Sequence, residues 1–123
     1  MGSGLQSPSD LKLRTKRFAL SILEAIKNVK WGIETDVLKK QIIRSATSVG
    51  ANYRAACRAK SRADFISKIK ICLEEADETQ YWLELFFELH LIEEKLFTEL
   101  YNEADELIAI FVSSAKTAAA VKE

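Results

Sequence analysis

From residue 9 to residue 123 the sequence contains no proline and only two glycines, Gly32 and Gly50. A turn-rich β protein needs such residues every few positions, because tight reversals call for positive φ or for a φ fixed near −65°. A chain this poor in both is expected to fold as long helices with few connectors. At 123 residues it is one domain, long enough to bury a core without disulfides. Apolar residues make up 48% and charged residues 29%, the balance of an ordinary soluble protein. No apolar run approaches the ~20 residues of a membrane span, and no charged-then-apolar leader is present. A cytoplasmic protein with no membrane partner is therefore expected. Cys57 and Cys72 are too few for a disulfide framework and fall in helical pattern, which makes them reduced, buried, small apolar residues.

The apolar pattern predicts an all-α fold, an antiparallel up-and-down four-helix bundle over residues 9–119. Residues 1–8 are expected to be a disordered terminus or a cloning scar, and residues 120–123 a frayed tail. Helix 1 is expected from Ser9 to Asn28, with Ser7, Pro8 and Asp10 supplying a cap, and Leu11, Phe18, Ile22, Ala25, Ile26 and Val29 at helical spacing. Gly32 breaks the chain, and Thr35 is the expected cap of a second helix reaching Ala59. On that helix Leu38, Ile42, Ser45, Val49, Asn52, Tyr53 and Ala56 share one face. Its middle, Ser45 to Ala51, is built almost wholly of small residues, so the closest helix crossing should lie there. Helix 3 opens at Ser61, and Phe65, Ile69, Cys72, Ala76, Thr79, Leu83 and Phe86 form a heptad-like seam suited to a shallow crossing. Helix 4, from Glu93 to Ala119, has an apolar sector wider than a core face needs, and its alanine-rich end from Ala115 is expected to fray. The surplus makes Phe97, Tyr101, Ile108 and Val112 candidate contacts to another subunit. Short connectors force antiparallel neighbours.

Net charge is zero, yet residues 1–70 hold 15 Lys and Arg against 5 acids, and the remainder reverses the balance. Such asymmetry points to a basic binding surface, to complementarity between subunits, or simply to basic and acidic helices side by side. Lys39, Lys40, Arg44, Arg54 and Arg58 gather on the polar side of helix 2, and Lys60 and Arg62 extend the stripe across the next turn. These seven are the candidate nucleic-acid contacts, since cations on one face can track phosphates and release counterions. Glu75 and Glu78 fall between two apolar lobes of helix 3, beside Trp82. Desolvated carboxylates need partners, so Asn52, Glu75 and Glu78, with Arg44 and Arg58 in reach, read as a structural polar cluster rather than a catalytic acid pair.

Catalytic and metal-binding patterns are missing. His90 is the only histidine, at a helix end where a capping or cationic role is ordinary. Glu-x-x-His pairs of di-metal bundles are absent, as are zinc spacing, a glycine-rich phosphate loop and a histidine placed to activate Ser48 or Cys72. No enzyme, metal or cofactor is expected.

The run Gln41-Ile42-Ile43-Arg44-Ser45-Ala46-Thr47-Ser48-Val49-Gly50-Ala51-Asn52-Tyr53-Arg54 is followed by Ser61-Arg62-Ala63-Asp64-Phe65-Ile66-Ser67-Lys68. Then come Glu74-Glu75-Ala76-Asp77-Glu78-Thr79 and Tyr81-Trp82-Leu83. Together they resemble the bacterial four-helix-bundle proteins related to reading frames within intervening sequences of 23S ribosomal RNA genes, the S23-like family. The resemblance covers most of residues 10–112 and implies an antiparallel bundle that assembles as a homo-oligomer, in the family as a pentameric ring, with no established enzymatic activity. A related bundle, the accessory factor of diversity-generating retroelements, binds a reverse transcriptase and RNA. Many members carry an acid and a glycine shortly after the Asn motif, where this chain has Ala55 and Ala56. The expected function is a non-enzymatic homo-oligomeric adaptor contacting RNA or an RNA-bound protein through its basic face. The alternative is a purely structural or protein-interaction module without nucleic-acid binding.

Overall fold

The structure, a computed structural model, describes residues 7–121. The described residues form four helices: α1 (Pro8–Ile26), α2 (Ile33–Cys57), α3 (Arg62–Glu88) and α4 (Glu94–Ala120). Each helix packs on its sequence neighbours, and α1 also meets α4, which closes an up-and-down bundle. The diagonal helices α2 and α4 meet through core side chains, with the rings of Tyr53 and Phe111 6.2 Å apart. The antiparallel course puts the 27–32 and 89–93 connectors at one end, the head. The 58–61 connector and the start of α1 lie at the other end, the foot.

Each segment contributes residues to one dry interior. Phe18 and Ile22 of α1, Ile42 and Val49 of α2, Ile69, Leu83 and Phe86 of α3, and Leu107 and Phe111 of α4 are at most 2% exposed. Burying a side chain of this size stabilises by roughly 1.5–3 kcal/mol, so periodicity on four helices is what holds them together. Phe65 departs from its seam: it is half-buried at the edge of the core and lines a cavity at the foot together with Pro8, Lys12 and Tyr53.

Helix ends differ from expectation for local reasons. Helix α1 starts one residue early, at Pro8, because Ser7 caps it. Ser7 Oγ accepts from the Asp10 amide at 3.1 Å, and Asp10 accepts from the Ser7 amide at 3.4 Å. Ser7 and Pro8 therefore belong to the fold, and the rest of the terminus expected over residues 1–8 lies outside the described residues. Thr35 is not the cap of α2; Gly32 is, in an extended conformation. The Thr35 hydroxyl instead donates to Lys30 O at 2.8 Å, tying the connector to the first turn. The segment from Ala115 remains helical to Ala120, as alanine's high helix propensity favours. Of the expected tail over 120–123, the last two residues lie outside the described ones.

Candidate nucleic-acid interface

The cations of α2 meet different fates once the helix is packed. Lys39 Nζ donates to Val29 O at 2.5 Å, so it satisfies a carbonyl of the α1–α2 connector. Lys40 pairs with Asp36 one turn back, at 3.1 Å. Arg44 leans across to α3, where its guanidinium contacts Glu75 at 3.2 Å and also Glu78. In the N-terminal half of the stripe, Lys40 and Arg44 are therefore answered by acids of the chain, and Lys39 is tied to a connector carbonyl. Arg54 and Arg58, in the C-terminal half, are exposed and form no ion pair with another described residue. Lys60 is exposed in the connector, where its amide donates to Asp64 at 3.2 Å, and Arg62 is the half-buried first residue of α3.

Packing brings in two cations that the α2 stripe does not contain. Lys12 and Lys16 of α1 face Arg54 across the α1–α2 groove, where they line a cavity of about 300 Å³. Its floor is Thr15, Thr47, Gly50 and Ala51. The helices come close here because Gly50 has no side chain: a Cβ at that position would lie 3.2 Å from Thr15 Oγ1. Like Arg54, neither lysine forms an ion pair with a described residue. The sequence held one signal for them, two lysines four apart on a helix, a spacing that repels unless some anion answers it.

The polar cluster forms with a different membership. Trp82 Nε1 donates to Glu78 at 2.9 Å, and Arg44 joins Glu78 to Glu75. Trp82's indole N–H, and after it Arg44, hold the Glu78 carboxyl below its usual range, and Glu78, with Glu75, raises the Arg44 pKa. Beneath them Thr79 Oγ1 donates to Ser45 Oγ at 2.8 Å, a fully buried link between α2 and α3. Asn52 is not a member. It is half-buried, and its amide donates to Ser48 O at 2.9 Å within its own helix. Asn52 lies two turns beyond Arg44, opposite a stretch of α3 nearer its start than Glu75. Arg58 stays at the surface for the same reason.

Arg14 of α1 makes a second arginine fork that the sequence reading left out. It contacts Glu103 at 2.7 Å and Glu106 at 2.7 Å on α4. Each seam between the basic pair α1–α2 and the acidic pair α3–α4 is thus bridged by one arginine on two glutamates.

Part of the wide apolar sector of α4 is occupied by its own chain. Phe97 stacks on Phe87 of α3 with ring centres 4.5 Å apart and leans on Tyr101 at 5.3 Å. Tyr101 donates to Glu84 at 3.3 Å, and burial, then Glu84, raises its phenol pKa. Ile108 packs half-buried against the core, and Val112 is half-buried beside it. Cys57 and Cys72 are free thiols, and burial pushes Cys72 up to about 12, so it stays protonated and unreactive. Among the described residues no three His, Cys, Asp or Glu gather as metal ligands, and no helix is long and apolar enough to cross a membrane.

The fold and its surface define an all-α bundle protein with one basic and one acidic layer. The chain belongs to the 23S rRNA-intervening sequence protein family, whose sequence profile matches residues 10–113. It is also similar to the crystal structure of a protein with unknown function from the S23 ribosomal protein family, from Bacteroides thetaiotaomicron. The two are 39% identical, the match covers 89% of this chain and 97% of that one, and the TM-score is 0.80. No protein of curated function matches the chain.

Proposed function

We propose that this protein is a non-enzymatic adaptor that assembles with copies of itself and contacts RNA, directly or on an RNA-bound protein, through the basic α1–α2 face. The observation that carries the reading is the gathering of Lys12, Lys16, Arg54 and Arg58 on that face without an ion pair to any described residue. Cations left unanswered by their own chain attract phosphates and release counterions on binding. Family membership supports both the RNA contact and the assembly, for which the pentameric ring is the arrangement the resemblance implies. Two free thiols suit a cytoplasmic setting.

Arg54→Glu with Arg58→Glu tests the contact, because both side chains are exposed and their loss leaves the core intact. Retention of total RNA at about 0.1 M salt is expected to disappear while helix content and melting temperature hold. RNA retention that ignores both changes rejects the reading. Light scattering on the unaltered chain is expected to give a mass several times that of one subunit, and a monomer would remove the assembly part. A second reading, a protein-interaction module with no RNA contact, draws on Trp31 and Ile33, which are 78% and 77% exposed at the head. It predicts a stable oligomer that retains no RNA in the same experiment.

A further inference from the structure

We infer that the α1–α2 groove and the cavity beside it at the foot of the bundle form one site for a nucleotide of single-stranded RNA, with the phosphate over Lys12, Lys16 and Arg54 and the base in the foot cavity. This rests on the basic-face reading and sharpens it.

The two cavities, of about 300 Å³ and about 460 Å³, both have Lys12 in their lining. They lie on either side of one residue, a separation that one nucleotide can span. The groove sets three cations around a floor of small side chains. Between the cations nothing longer than a threonine stands in the way. The foot cavity has another character: Pro8, Tyr53, Ala56, Cys57, Ala59 and Phe65 give it mostly apolar walls with two aromatic rings. A flat heterocycle suits such walls, since every base presents a π-face that aromatic and apolar groups can cover.

Charge separates this pair of cavities from those between α1 and α4. Neither is lined by a carboxylate, whereas the α1–α4 cavity sets Asp10, Glu99 and Glu103 beside Arg14 and Arg17, and its neighbour has Glu24. The charged groups lining the α1–α2 pair are all cations, while between α1 and α4 carboxylates already stand beside the arginines. Single strands follow from the shape. A base paired and stacked in a duplex has its faces covered and cannot turn into a side cavity, while an unpaired base can. A duplex can still lay its phosphates along the cations.

The test is fluorescence anisotropy with the full chain at low salt, using a labelled twelve-nucleotide oligouridylate and an RNA duplex of equal length. The single strand is expected to bind about tenfold more tightly than the duplex. Ala59→Phe fills the foot cavity without changing charge and is expected to weaken the single strand about tenfold, leaving the duplex unchanged. Lys16→Ala is expected to weaken both ligands. Amide shift mapping on the unaltered chain gives an independent readout: uridine monophosphate should perturb Lys16, Ala59 and Phe65, and inorganic phosphate only the groove. Equal affinity for the two RNAs, an Ala59→Phe protein that is folded and binds normally, or shifts confined to the groove with the nucleotide would overturn the inference. The basic-face reading would survive any of these, provided Arg54→Glu with Arg58→Glu still abolishes RNA retention. If the unaltered chain retains neither RNA, both fail together.

Discussion

His90 stands at a φ of 60°, the left-handed region that side chains with a Cβ enter at a cost of roughly 1–2 kcal/mol. It is held there by the way α3 stops: Leu91 N donates to Phe86 O at 2.8 Å and His90 N to Phe87 O at 2.9 Å. That double closure of the last turn ordinarily has glycine at this position. His90→Gly is therefore expected to stabilise the bundle by about 1 kcal/mol, read as a higher urea midpoint at unchanged m-value; a lower midpoint would mean the imidazole itself supports the turn. Trp82 and Glu78 give a second residue-scale test. Folding depresses the Glu78 pKa, so its contribution is present above the unfolded value of about 4.3 and is lost as pH falls through the lower folded value. The indole N–H is the leading cause. Trp82→Phe should thus move the Glu78 carboxyl back up toward its usual range in a carbon-detected NMR titration and make the acid limb of stability less steep. An unmoved carboxyl would assign the depression to Arg44 alone.

At the scale of the element, the interiors of all four helices were legible, because a 3.6-residue apolar period needs only the order of residues along one segment. Their ends were less so. Thr35 resembles a cap in sequence, but its hydroxyl is taken by Lys30 O, a carbonyl whose position depends on the connector's path. The alanine-rich end of α4 has few large apolar groups yet stays helical on propensity. The small-residue middle of α2 did announce a close crossing, though not the helix it would meet. That helix is α1, at Thr15, which is fully buried with its hydroxyl bonded to Leu11 O at 2.8 Å. A Cβ on Gly50 would also lie 3.5 Å from the Thr15 carbonyl carbon, in ordinary contact, so a side chain longer than a methyl would press on backbone as well as on the Thr15 hydroxyl. Gly50→Val adds branched methyls to this contact and is expected to destabilise by about 2 kcal/mol in denaturant melts. An unchanged melt would show that α1 can slide outward without loss.

At the scale of the whole molecule, the sequence divided its charge between halves but left open how the halves would meet. Arg54 and Arg58 were visible as a stripe on one helix. Lys12 and Lys16 joined them only through the packing of α1 on α2, and Arg14 found Glu103 and Glu106 only because α1 also meets α4. Such pairings across helices depend on the order of helices around the bundle, which periodicity within a helix does not encode. The resulting layers are unequally fastened. Helix α1 is the shortest, with 19 residues against 25 to 27 in the others, and its contact with α4 is the thinnest of the four helix pairs. Arg14 and Glu103, with side chains 24% and 29% exposed, bridge that seam. A partly shielded fork of this kind contributes about 1 kcal/mol, small against global stability but large against the local opening of one short helix. Amides of α1 are therefore expected to exchange with deuterium sooner than those of α2 and α3 in the native state. Arg14→Glu, which sets a carboxylate against Glu103 and Glu106, should speed exchange in α1 about fivefold or more while leaving α3 nearly unchanged. Restoring the pair with Glu103→Arg should slow it again. Exchange that accelerates equally in all four helices would mean that the bundle opens only as one unit, and that the arginine on this seam fastens the whole rather than one edge.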